Sequence, residues 1–101
     1  MVACSRLSFV FEWHPAKAAS NLAKHGVEFE EAATVFADPL ARIFDDPDHS
    51  RAEDREIIVG HSAAQRLLVV SFAARWDLIR IISARKATRH ERRDYEESAT
   101  P

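Results

Sequence analysis

The stretch that decides the fold is LIRIISARKATRHERRDYEE, which runs from Leu78 to Glu97. Its first half is rich in β-branched residues and predicts a strand over residues 78–84. Its second half is charged, and Thr88 is followed three residues later by Glu91 in the spacing of a capping box. The sequence therefore predicts a strand that leads directly into a polar C-terminal helix.

Two arginines lie in this strand or at its end. In a regular strand Arg80 shares a face with Leu78 and Ile82, whereas Arg85 shares the other face with Ser83. Both can serve one site only if the strand twists or bulges near Ser83. Because burying an unpaired arginine is costly, each is expected either to pair with a carboxylate or to face an anionic ligand such as phosphate.

The rest of the chain predicts an α+β fold. Helices are expected from Pro15 to His25, where Gly26 ends the helix, and from Phe29 to Ala37. The first helix should bury Ala18, Ala19, Leu22 and Ala23 and expose a polar face with Lys17, Asn21, Lys24 and His25. Further strands are expected over residues 8–13, 40–44, 55–61 and 67–73, and the short linkers 62–66 and 74–77 are typical of antiparallel hairpins.

Composition limits the classes of function. The 101 residues should form one domain, residues 1–101, and the single Cys4 excludes an intrachain disulfide, as expected in a reducing cytoplasm. We expect neither a signal peptide nor a membrane span. The net charge is −2, but residues 85–93 are basic, which indicates an anionic ligand or an acidic partner. The absence of a Cys/His cluster and of a Gly-rich phosphate loop predicts no metal and no cofactor.

Several blocks of the sequence resemble the BrnT toxin family. They are FEWHPAK at 11–17, NLAKHGV at 21–27, FEEA at 29–32 and RIISAR at 80–85, followed by Glu91, Arg92 and Tyr95. The resemblance implies a RelE-like fold, in which a small antiparallel sheet has two N-terminal helices packed on one face and a C-terminal helix. Three residues depart from the family pattern: His14 replaces the usual Asp, Ala52 a common Gly, and Trp76 a small turn residue.

The resemblance also implies a function. Such a protein would be a metal-independent endoribonuclease toxin of a bacterial type II toxin–antitoxin system, acting in the cytoplasm to inhibit translation and growth. Its partner would be a BrnA-type antitoxin with a ribbon-helix-helix domain. The chain would then contact RNA directly and DNA only through that antitoxin.

Metal-free RNA cleavage requires a base for the 2′-hydroxyl, cationic donors for the phosphorane and an acid for the 5′-oxygen. Arginine suits the second task, because its planar fork matches phosphate oxygens and stays charged. The predicted catalytic residues are Arg55, Arg80 and Arg85 as donors, and Lys24, His25 and Glu53 for proton transfer. Lys24 could instead clamp a phosphate, and Lys24 and His25 could simply complement the dipole at the helix end.

Further contacts with RNA are predicted for Lys17, Arg89, Arg92 and Tyr95. For Tyr95, stacking on a base, proton donation and packing all fit the sequence. Two other functions also fit: a non-catalytic module whose basic C-terminal helix binds an acidic protein or nucleic acid, and a toxin homologue that has lost activity. An RNA cleavage assay with folded protein separates these functions.

Overall fold

The structure, a computed structural model, describes residues 9–45 and 55–99. In chain order, the elements of these residues are β1 (Val10–Glu12), α1 (Pro15–His25), α2 (Phe29–Thr34) with a 3₁₀ turn (Val35–Ala37), β2 (Arg42–Asp45), β3 (Arg55–His61), β4 (Leu67–Arg75), β5 (Leu78–Lys86) and α3 (Arg89–Ala99). The predicted α+β class is confirmed, and α1 and β3 have the predicted bounds. Glu53 and Ala52 lie outside the described residues.

The strands form one sheet with the order β1-β5-β4-β3-β2. The pairs β2–β3, β3–β4 and β4–β5 are antiparallel, as the short linkers predicted for the last two. β1 lies at the far edge beside β5 and pairs with it in parallel. The sheet is therefore antiparallel in three of its four pairings and mixed as a whole.

Helices α1 and α2 cover one face of the sheet, which we call the helix face. The core there joins the helical residues Phe29 and Ala32 to strand residues from three strands: Ile58, Leu68, Val70, Phe72, Ile79, Ile81 and Ala84. These strand residues alternate with others that point to the opposite face. The predicted packing of both N-terminal helices on one face is thus observed, and the opposite face is left for other contacts.

The polar residue Asn21 is buried, contrary to the predicted polar face of α1. Its side-chain amide donates to the carbonyl oxygens of Ala84 (2.8 Å) and Val27 (3.0 Å), and its Oδ1 accepts from the Ala84 N–H (3.1 Å). β1 pairs with β5 only as far as Arg80, so beyond that point the backbone of β5 needs other partners. Asn21 supplies them, while Leu22, predicted to be buried, is 44% exposed.

Both ends of α1 are capped, and the N-cap residue is a histidine. Pro15 occupies the first turn, and Gly26 has a left-handed φ of 70° with its N–H donating to the Leu22 carbonyl. At the N-cap, His14 Nδ1 accepts from the Ala16 N–H at 3.1 Å. An imidazole nitrogen therefore accepts the N-cap hydrogen bond that a side-chain oxygen usually accepts.

Strand β5 contains an irregularity that redirects its side chains. Ser83 pairs with Ser71 and Ile81 pairs with Phe72, so Ile82 is an extra residue in the ladder. Ile79 and Ile81 before the bulge and Ala84 after it are all buried on the helix face. Consequently Arg80 and Arg85, which a regular strand would separate, point to the same side of the sheet.

Candidate active site

The face of the sheet opposite to α1 and α2 carries arginines from four strands, and we call it the arginine face. Cross-strand pairing places Arg55, Ala73, Arg80 and Glu12 in one row across β3, β4, β5 and β1. With strands about 4.8 Å apart, the Arg55 and Arg80 backbones are about 10 Å apart. The small Ala73 between them leaves space for a ligand that contacts both guanidinium groups.

A second row lies on the same face toward the other end of the strands. Pairing joins Arg42, Val59, Val69 and Arg85 across β2, β3, β4 and β5. Between the two rows lie the side chains of Phe44, Ile57, Ser71 and Ser83. The arginines therefore border an apolar and small-residue floor, an arrangement in which guanidinium groups can approach a phosphate from several sides.

A groove runs between this face and α3. Its volume is about 280 Å³, and its lining residues are Arg42, Phe44, Asp45, Ile57, Val59, Val69, Arg85, Glu91, Asp94 and Tyr95. The floor comes from strands and one wall from α3. Because both arginines and carboxylates line it, the groove is not uniformly basic.

Arg85 is held in a bidentate ion pair. Its Nη1 and Nη2 atoms donate to the two carboxylate oxygens of Glu91 at 2.8 and 2.9 Å. Glu91 also accepts from the Thr88 N–H, while its own N–H donates to Thr88 Oγ1, which is the predicted capping box. The Arg85 side chain is 41% exposed, so the pair fixes its direction and still leaves it accessible from solvent.

This pairing changes how Glu91 titrates. Hydrogen bonding to Arg85 lowers the pKa of Glu91 from 4.5 to about 2 against the opposing effect of burial, with help from the Thr88 backbone. The same hydrogen bond raises the pKa of Arg85. Glu91 is therefore ionised at neutral pH and acts as an anchor for Arg85.

The low pKa of Glu91 makes the stability of the fold depend on pH in acid. Its pKa is lower in the folded state, so the unfolded chain binds more protons in acid and the stabilisation by Glu91 is lost as the pH falls from about 4.5 to about 2. Replacing Glu91 with Gln should flatten the dependence of Tm on pH in this window. Circular dichroism melting of wild type, Glu91→Gln and the exposed α3 control Glu97→Gln measures it. If the Tm of Glu91→Gln falls with pH as steeply as that of wild type, the stabilisation does not come from Glu91.

Arg80 is more open than Arg85. Its Nε lies 3.5 Å from a carboxylate oxygen of Glu12, and the two side chains are 55% and 50% exposed. An exposed ion pair of this length contributes little stability and exchanges readily with solvent or another anion. The Arg80 side chain is therefore accessible to a phosphate that binds from solvent. Arg55, half-buried at the start of β3, completes its row.

The basic residues predicted on α1 lie on a helix that packs on the core through Ala18 and whose Asn21 side chain bonds to the backbone of Ala84 at the edge of β5. Lys17 and Lys24 are exposed and His25 is half-buried. Strand pairing thus brings Arg55, Arg80 and Arg85 onto one face, whereas Lys24 and His25 belong to a separate element. Arg89 and Arg92 are exposed on α3.

Tyr95 is an anchor of α3 in this structure. It is 6% exposed, its hydroxyl donates to Asp38 Oδ2 at 3.0 Å, and its ring meets that of His61 edge-on at 5.3 Å. Burial and the bond to Asp38 raise the pKa of Tyr95 to about 12. A ring this buried has no free face for a base, so packing replaces the predicted stacking on RNA.

Asp38 reaches Tyr95 because the loop that contains Asp38 lies close to the end of β3. Its Oδ2 also accepts from the His61 N–H at 2.7 Å. A Cβ on Gly60 would lie 2.9 Å from both this oxygen and the Ala41 Cβ. Glycine is therefore required at residue 60 for the loop to lie close enough to hold α3.

Sequence reasoning missed three residues of the arginine face. Strand pairing places Arg42 and Glu12 on this face. Arg75, two residues after Ala73 in β4, lies on the same face because side chains alternate along a strand. Strand parity alone could have suggested Arg75. The positions of Arg42 and Glu12 depend on which strands are neighbours, a question that a single sequence leaves open.

Over 9–45 and 55–99, no group of three or more His, Cys, Asp or Glu side chains is arranged to hold a metal ion. In the same residues no helix has both the length and the apolar character needed to cross a membrane.

Comparisons with known proteins agree with this fold. A family profile described as the ribonuclease toxin BrnT of type II toxin–antitoxin systems matches residues 13–91. Among solved structures, the 1.1 Å crystal structure of the Brucella abortus ribonuclease toxin BrnT matches with a TM-score of 0.63 and 22% sequence identity, covering 81% of this chain and 100% of that chain. The comparison with curated proteins finds no significant match.

The two matches carry different weight. At 22% identity the Brucella structure supports the fold alone. The family profile spans most of the chain, and it includes the helix α1, the whole sheet from β2 to β5 and the capping box of α3. The protein therefore belongs to the BrnT family of ribonuclease toxins of type II toxin–antitoxin systems.

Proposed function

We propose that this chain is a metal-independent endoribonuclease toxin that cleaves RNA on the arginine face. The observation that carries the proposal is the bulge at Ile82, which places Arg80 and Arg85 on the same side of the sheet as Arg55. Three guanidinium groups around one shallow surface can bind a phosphodiester and stabilise the charge that develops on it. Membership in a ribonuclease family supports an enzyme over the alternative of a non-catalytic binding module.

Within this site the arginines have different tasks. Arg85, oriented by Glu91, offers a fixed guanidinium, and Arg80, exposed beside Glu12, offers a movable one. We propose that both stabilise the phosphorane formed when the 2′-hydroxyl attacks the adjacent phosphorus, with Arg55 as third donor. The chain then breaks at the 5′-oxygen, leaving a 2′,3′-cyclic phosphate and a 5′-hydroxyl. A base takes the proton of the 2′-hydroxyl and an acid supplies one to the 5′-oxygen, and Glu53, two residues before Arg55, remains our candidate for one of these transfers.

The test is RNA cleavage by the purified protein in EDTA. We expect single-stranded RNA to be cut to products with a 2′,3′-cyclic phosphate and a 5′-hydroxyl, and an RNA with 2′-deoxy sugars to stay intact because it lacks the nucleophile. Intact RNA after incubation with folded wild-type protein would count against the enzyme. Cleavage that appears only when Mg²⁺ replaces EDTA would refute metal independence.

The partner and the cellular effect belong to the same proposal. A type II family implies an antitoxin, which we propose is of the BrnA type, carries a ribbon-helix-helix domain and gives the complex its contact with DNA. We further propose that the toxin acts in the cytoplasm by cutting RNA needed for translation. Induced expression should arrest growth, and co-expression of the neighbouring reading frame should restore it.

A further inference from the structure

Trp76 is the most exposed large hydrophobic residue among the described ones. It lies in the turn between β4 and β5 and is 92% exposed. Its φ of 57° is in the left-handed region, where a bulky side chain is disfavoured and glycine is usual. The fold thus carries an indole that neither packs in the core nor suits its turn.

Such a residue costs the fold free energy on two counts. The left-handed backbone is strained for a residue with a Cβ, and the apolar ring stays in water. The other tryptophan, Trp13, shows the contrast, because its ring packs edge-on against Phe29 with centroids 5.9 Å apart. Strained and unburied positions of this kind are characteristic of sites that bind something outside the chain.

The sheet register locates Trp76 relative to the arginines. Arg75 pairs with Leu78 next to the turn, and Ala73 pairs with Arg80 two residue pairs further into the hairpin. Trp76 therefore lies about 10 Å along the strands from the row of Arg55 and Arg80. Arg75, exposed beside it, points to the arginine face by alternation. The indole stands at the rim of the proposed phosphate site.

We propose that Trp76 stacks on an unpaired base of the RNA substrate, next to the phosphate held by Arg55 and Arg80. This inference rests on the proposed function. Every base offers a π-face, and aromatic side chains beside a cationic track are the usual way to hold single strands. The carboxylates of Asp77 and Glu12 lie nearby, but Arg55, Arg75 and Arg80 outnumber them, which favours a polyanion over a protein partner.

Steady-state kinetics with single-stranded RNA provides the first test. Trp76→Ala should raise KM by about 5- to 150-fold, the range for loss of one base–aromatic stack, with kcat changed little. Trp76→Phe keeps an aromatic face and should retain most of the affinity. Because Trp76 is exposed, both variants should fold, and circular dichroism melting verifies this.

Fluorescence provides a second test that does not depend on cleavage. Wild-type protein is titrated with an RNA carrying 2′-deoxy sugars, and quenching of the indole by acrylamide is followed. Bound RNA should shield Trp76 and lower the quenching constant. In Trp76→Phe the remaining emission comes from the half-buried Trp13, so RNA should leave it unchanged.

The outcomes separate this inference from the proposed function. A wild-type protein that shields Trp76 with RNA but cleaves nothing would refute the nuclease and keep the stacking site. Wild-type cleavage with the same KM in Trp76→Ala, and no shielding, would overturn the stacking site alone. If Trp76→Ala cleaves RNA normally but is no longer neutralised by the antitoxin, Trp76 serves a protein contact and the inference is wrong.

Discussion

Replacing Arg80 with alanine is expected to lower kcat for RNA cleavage by about 100- to 1,000-fold, the usual effect of removing one preorganised donor to a developing oxyanion. Of the two arginines of β5, Arg80 has the more exposed side chain, and its Nε–Glu12 contact is longer than the Arg85–Glu91 bonds. The expected loss lies in kcat, since the charge it stabilises is largest in the transition state. Single-turnover cleavage of a short labelled RNA measures it.

Two further variants make this prediction specific. Arg80→Lys retains the charge but not the planar fork, so it should recover only part of the rate. Arg93→Ala removes an exposed arginine of α3 that lies outside the proposed site, and its cleavage rate should match wild type. Equal rates for Arg80→Ala and wild type, with both folded, would remove Arg80 from the mechanism.

Replacing Asn21 with alanine is expected to destabilise the fold by about 2–4 kcal/mol, because one buried N–H and two buried carbonyl groups lose their partner. Those groups are the N–H and C=O of Ala84 and the C=O of Val27. For a chain of this size the change corresponds to a fall in Tm of roughly 10–25 °C. Thermal melting followed by circular dichroism measures it.

The control for Asn21 is in the same helix. Ser20 is exposed one residue earlier, so Ser20→Ala should change the stability by no more than about 0.5 kcal/mol. If Asn21→Ala melts at the wild-type temperature, its hydrogen bonds to β5 contribute nothing and another contact must hold α1 on the sheet.

These two variants show where sequence reasoning succeeded and where it stopped. The two arginines of β5 could be selected from the sequence, because their residue type and neighbours already suggested an anionic ligand. Asn21 could not, because helical periodicity assigns a polar residue to the solvent face. Its burial results from the end of β1, which leaves Ala84 without a strand partner on that edge of β5. Ala84 is 63 residues from Asn21 in the chain.

Tyr95 illustrates the same limit in α3. The sequence placed it on a polar helix, where stacking on RNA and packing were both open. Its partner Asp38 is 57 residues earlier, and the contact exists only because Gly60 lets the intervening loop cross β3 closely. The packing of Tyr95 thus depends on the distant carboxylate of Asp38 and on the absence of a Cβ at Gly60.

By itself the sequence determined the elements, the capping box of α3 and the family, because these depend on local periodicity, capping chemistry and contiguous motifs. Only the tertiary structure decided which face each arginine occupies. Alternation along a regular strand would place Arg80 and Arg85 on opposite faces of the sheet. The extra residue Ile82 places them on the same face. That residue becomes a bulge through the pairing of β5 with β4, a long-range register that no local pattern encodes.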